Sequence, residues 1–196
     1  MDLTAVAPSG IAESVRNRPL REGLLLRATD VPTALAPVFA ARYDNGVWVR
    51  LPDGSYRNAR PAQMPEAVDS LSSLKYAKAL AGPGHPASAY TRPLGHVLEL
   101  VPVTDPFVLA PGDILRVRVL LDGKPAAGAR VELGDGVTPQ REEDIVKFPA
   151  DAQGVVSLPL TRTGWHVLAV DVDRPSRAPE PTRIEKLVAT RTFWLP

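Results

Sequence analysis

Cysteine is absent from the 196 residues, which excludes disulfides, zinc–thiolate sites and a cysteine nucleophile. Long apolar runs are missing too: no stretch approaches the ~18 residues that a membrane span needs. Charge of one sign is lacking, since 23 Lys and Arg stand against 22 Asp and Glu for a net +1. That balance creates no field to draw in nucleic acid or an anionic membrane. No phosphate-binding or dinucleotide glycine pattern occurs, nor a G-x-S-x-G elbow or recognisable Ser/His/Asp arrangement, so the common signatures of catalysis are not there. The start, MDLTAVAPSGIAESV, has neither the basic opening nor the apolar stretch of a signal peptide. It fits either a cytosolic chain or one whose leader has been replaced by an initiating Met.

What the chain has in excess is proline, 21 residues, roughly twice the average usage. Proline removes a backbone donor and fixes φ, so it gathers in turns, loops and edge strands. The expectation is a loop-rich, mainly β protein in three parts: an irregular arm over 1–20, a smaller N-terminal β region over 21–90, and an antiparallel immunoglobulin-like β-sandwich over 91–196. In the middle part, EGLLLRAT (22–29) and PVFAARYD (37–44) read as strands. VWVRL-PDG-SYRN (47–58) reads as a hairpin turning at Asp53-Gly54, a pair that tolerates positive φ. One helix is predicted over 65–81, where Pro65 and Glu66 suit a helix start, Leu71, Leu74, Ala77 and Ala81 recur at helical spacing, and Gly82-Pro83 end it. On that helix the lysines beside Tyr76, Lys75 and Lys78, snorkel outward. The loop GPGHPAS (82–88) marks the boundary between halves.

The second half alternates. ILRVRVLL (114–121) places Leu115, Val117, Val119 and Leu121 on one face and Arg116 and Arg118 on the other, the mark of a sheet with one buried side. HVLELVPV (96–103), ARVEL (129–133), VVSLPL (155–160), GWHVLAVDV (164–172) and KLVATRTFWLP (186–196) are further strands, with turns at Asp122-Gly123, Asp135-Gly136 and Asp151–Gly154.

The succession DGKPAAGARV, DAQG and TGWHVLAV resembles the immunoglobulin-like sandwiches related to carboxypeptidase regulatory domains. Across residues 20–196, LKYAKALAGPG, GHVLELVPVTDP, LAPGDILRVRVLLDGKPAAGARVELGDGV and ATRTFWLP together resemble a family of exported bacterial proteins of unknown function. Its members are often labelled nickel- or cobalt-uptake accessory components. The resemblance implies a periplasmic, non-enzymatic sandwich with an envelope transporter or receptor as partner, and a divalent transition metal, nickel or cobalt, in some members. It also implies histidines where this chain has Pro149 and Val172, so two ligands of such a metal site are missing.

Three histidines remain, His85, His96 and His166, none spaced to share a local metal motif. His96 matches the GH position of that family and leads the candidate metal set of His96, Glu99 and His166, against a bland reading as a strand-end hydrogen-bonding histidine. Glu99 lies on the opposite face of its strand from His96. Trp165 is expected inward and His166 outward, with His85 exposed in its Gly/Pro loop. Asp171, Asp173 and the run Glu142, Glu143 and Asp144 are further carboxylates, the run reading more naturally as a solvated turn. The cleft between the two halves is the expected site. The alternative to a metal-uptake accessory role is an envelope interaction module with no small ligand.

Overall fold

Period-two alternation of buried and exposed side chains governs most of the chain. The computed structural model describes residues 1–19, 26–29, 36–136, 138, 141–177 and 182–196. The first half forms β1 (Asp2–Val6), β2 (Ala12–Ser14), β3 (Arg16–Pro19), β4 (Leu26–Thr29), β5 (Val38–Arg50), β6 (Tyr56–Asn58) and β7 (Asp69–Leu80). A short helix, α1 (Ala87–Thr91), leads to β8 (Leu98–Pro102), β9 (Ile114–Leu121), β10 (Lys124–Pro125) and β11 (Arg130–Gly134). Then come β12 (Lys147–Pro149), β13 (Val155–Pro159), β14 (Gly164–Pro175) and β15 (Ile184–Leu195).

The protein is mainly β. One sheet of nine strands runs β12-β11-β14-β15-β7-β5-β1-β2, with β6 added on β5; another of four strands runs β10-β9-β13, with β8 also on β9. Leu115, Val117 and Val119 of β9 are fully buried, while Arg116 and Arg118 are exposed. They join Leu98 and Leu100 of β8 in one core with Leu168 of β14 and Leu187 and Phe193 of β15. The two sheets therefore meet face to face, each buried aliphatic side chain contributing about 1.5–3 kcal/mol. The stretch DGKPAAGARV carries the chain from one layer to the other. Asp122 (φ 51°) and Gly123 (φ 74°) turn β9 back into β10, both residues taking the positive φ of a primed two-residue turn. The chain then leaves the small sheet, and β11 joins the large one beside β14. Gly154 makes this crossing compact: a Cβ there would lie 2.9 Å from the Ala126 amide nitrogen and from the Val119 carbonyl oxygen.

Two expectations are corrected. Residues 65–81 are not a helix: Asp69–Leu80 is a strand, paired antiparallel with β5 and parallel with β15. Its Ala, Lys and Leu content suits a helix locally, but a ladder on both edges decides the outcome. The period of two was hidden because its inward side chains include Ser70, Ser72 and Lys78 rather than an apolar row. The arm over 1–20 is not irregular in its described part: β1 and β2 extend the large sheet, and β3 pairs with β4. Of the expected strand 22–29, residues 26–29 are a strand and 22–25 lie outside the described residues. The hairpin at 47–58 forms as read, with Trp48 opposite Asn58. Among the described pairings, β7–β15 alone is parallel, and it sets strands from either side of the 82–88 loop next to each other.

Candidate functional site: a charge cluster between the layers

The inward face of β7 carries Tyr76, Lys78 and Leu80. Across from it β8, buried along its whole length, brings Glu99, and β15 brings Arg191 from the position in register with Lys78. Lys78, Glu99 and Arg191 are 4%, 2% and 1% exposed. Lys78 Nζ donates to Glu99 Oε1, and the amides of Leu94 and Gly95 donate to the same carboxylate at 2.6 and 3.1 Å. Arg191 donates through Nε to the Leu100 carbonyl (3.1 Å) and through Nη1 to the Tyr90 carbonyl (3.2 Å). Among the described residues β8 pairs on one edge only, with β9. Arg191 thus meets a carbonyl on that strand's open edge, where a buried unpaired group would be costly.

Two cations share one carboxylate here. Burial, and then the Arg191 charge, hold the Lys78 ammonium down to about 7, with Glu99 opposing. Burial likewise lowers Arg191 to about 10, again against Glu99. Tyr76 is pushed up by burial, with the Arg42 guanidinium working the other way.

His96 belongs to this cluster's border. Its ring lies 5.0 Å from that of Tyr76, and its buried Nδ1 has no hydrogen-bond partner among the described residues. Burial and then the Lys78 charge push its pKa down. His166 is placed contrary to expectation: it is buried (2%) while Trp165 is 47% exposed. Leu168 and Val170 set the inward parity of β14, and a one-residue shift of parity reverses every side chain. The His166 ring stacks on Phe193 at 5.2 Å, Nε2 sits 3.0 Å from the Arg162 carbonyl, and burial lowers its pKa. It also borders a recess of about 200 Å³ with Asp135 and Arg162. The His85 amide donates to the Tyr90 hydroxyl at 3.2 Å.

The structure does not assemble His96, Glu99 and His166 into a ligand set. Among the described residues no group of three or more His, Asp or Glu side chains is placed to hold a metal ion. Glu99 already accepts from Lys78 and two amides, and a metal needs several ligands free to converge. The residues present therefore do not fit a nickel or cobalt centre at those positions. Glu142, Glu143 and Asp144 form an exposed turn in which Glu143 and Asp144 ion-pair with Arg141 at 3.5 and 3.0 Å, and Asp171 pairs with Lys186 at 3.6 Å.

A second charged string ties the layers at the rim. Arg174 of β14 donates to Glu185 of β15 at 2.6 Å and to Asp122 in the β9–β10 turn at 2.8 Å, and Arg177 reaches Asp122 at 2.9 Å. The hydrogen bond from Arg174 keeps the Asp122 carboxyl below its usual range.

Sequence reading missed Lys78 and Arg191. For Arg191 the signal was available: Leu187, Ala189, Phe193 and Leu195 alternate around it, which places an arginine on an apolar face.

These features define a mainly β protein of two facing sheets, sealed by an internal charge cluster. Residues 1–174 match the family of the domain of unknown function DUF4198, and the chain belongs to that family. The match ends within β14, so β15 with Arg191 lies past it. A search of curated proteins and a search of solved structures each found no match. Among the described residues no helix is long and apolar enough to cross a membrane.

Proposed function

We propose that the chain is a non-enzymatic accessory protein of the periplasm that serves nickel or cobalt uptake by binding an envelope transporter or receptor, without closing a metal centre of its own. One observation carries the non-enzymatic part. The groups with the most displaced pKa values, Lys78 and Arg191, are buried against Glu99, whereas a catalytic acid or base has to come within about 3 Å of its substrate. These charges are enclosed between the layers, which leaves recognition to the surface. The periplasmic setting and the uptake context are supported by the resemblance of the motifs quoted above. The test is deletion of the gene with cell nickel and cobalt measured by mass spectrometry, alongside fractionation of the native protein. Lowered metal content and a periplasmic protein are expected; unchanged metal content or a cytosolic protein overturns the reading.

A second reading, an envelope interaction module with no small ligand, is favoured by the finding that, among the described residues, no three His, Asp or Glu side chains are placed to hold a metal ion. Crosslinking in intact cells separates the two. A partner identified as a metal transporter, lost on chelation, supports the first reading, and a partner unrelated to metal and retained in chelator supports the second.

A further inference from the structure

The outer face of the large sheet, turned away from the four-stranded one, carries a recess of about 340 Å³. Its floor comes from β7 and β15, where Ser73 lies in register with Lys186 and Lys75 with Val188. Its wall is the β5–β6 hairpin. Between Asp44 and Val47 one extra residue of β5 bulges against β7, at Gly46 (φ 76°), whose amide donates to the Asp44 carboxylate at 2.9 Å. Bulges re-aim side chains and gather beside binding sites. This one sets Trp48 over the floor with its indole N–H donating to the Asn45 carbonyl at 2.9 Å, so the ring offers its π surface and no free donor. Tyr56 closes the same side.

Among the described residues no carboxylate lines this recess, and two ammonium groups do. Lys186 has an exposed partner in Asp171 at 3.6 Å; Lys75 is exposed and has no ion pair among the described residues. A smaller adjoining recess of about 100 Å³ shares Tyr56 and Lys186 but is bordered by Asp69 and Asp173. An anionic group is repelled from that end and attracted to Lys75. The aromatic wall, Leu71 and Val188 in the floor and the two cations together select a flat ring bearing one negative charge, and the volume is at the small end of organic ligand sites.

We propose that this recess binds a small aromatic carboxylate, its ring against Trp48 and Tyr56 and its carboxylate between Lys75 and Lys186. The inference goes beyond the uptake reading and does not rest on it. The test uses the full chain with 2-naphthoate as probe, followed by calorimetry and by the indole N–H signals in nitrogen-15 spectra, beside the neutral 2-naphthamide. Expected are submillimolar naphthoate binding that moves the Trp48 signal, amide binding ~10-fold weaker, and a ~5-fold loss in Lys75→Met. Trp48→Leu should abolish binding, and Lys75→Met keeps the test valid if that variant fails to fold. No binding up to about 1 mM, equal affinity for both probes, a response confined to Trp165 and Trp194, or an unaffected Lys75→Met protein would each overturn the proposal.

Discussion

The seam between the layers holds two charge networks, and they are built on opposite terms. Lys78, Glu99 and Arg191 are enclosed, with two cations to one carboxylate and every partner inside. The string of Arg174, Glu185, Asp122 and Arg177 opens outward: Glu185 and Arg174 are 7% and 13% exposed at the side chain, Asp122 39% and Arg177 66%. In the string, water screens the outer members and the charges alternate. In the cluster burial, and after it the unscreened Arg191 charge, depress the Lys78 pKa. What a charged pair contributes therefore follows from its enclosure and its counter-charge, more than from its distance.

Removing the single carboxylate is the sharpest way to break the comparison. Glu99→Gln takes away the charge that holds the Lys78 proton and that the Leu94 and Gly95 amides meet, and is expected to cost about 3–5 kcal/mol in urea unfolding at pH 7; a loss under about 1 kcal/mol would show that water reaches the cluster. Arg174→Met strips the buried Glu185 of its partner while Asp122 keeps Arg177, so about 2 kcal/mol is expected by the same measurement. Lys78→Met removes the surplus charge and leaves Glu99 opposite Arg191, so its stability should stay within about 1 kcal/mol of the parent at pH 7. Arg141→Ala, which breaks ion pairs on a side chain 78% exposed, should move stability by no more than about 0.5 kcal/mol.

The same lysine gives a pH signature. Lys78 titrates near 10.5 when unfolded and near 7 when folded. Between those values the unfolded chain holds more protons, so this residue makes stability rise with pH above 7. Below 7 both states are protonated and the burial penalty is present in full. Urea unfolding at pH 7, 8 and 9 should show a positive slope in the parent that is reduced in Lys78→Met; equal slopes would place the ammonium in contact with solvent.

The back half was legible because its alternation is written in apolar residues: β9 buries the leucine and valines read from ILRVRVLL and exposes the arginines between them. β7 was illegible for the converse reason. Its inward row is Ser70, Ser72, Leu74, Tyr76, Lys78 and Leu80, polar enough to hide period two, and its partners lie 19 to 113 residues away in sequence. The site followed the same division. His96 and Glu99 stand out in the sequence, and Glu99 is the cluster's carboxylate with His96 at its border, but a helix that does not form turns Lys78 to solvent. His166 was misplaced by one step of parity. Exposed carboxylates such as Glu142 were read as a solvated turn, and they are one.

The parallel pairing of β7 with β15 orders events in time. β15 lies between β7 and β14, so the large sheet stays in two pieces until residues 184–195 have left the ribosome, and Lys78 and Glu99 wait with it for Arg191. Joining segments so far apart along the chain makes for slow folding, and until then the edge of β7 that β15 takes up is unpaired.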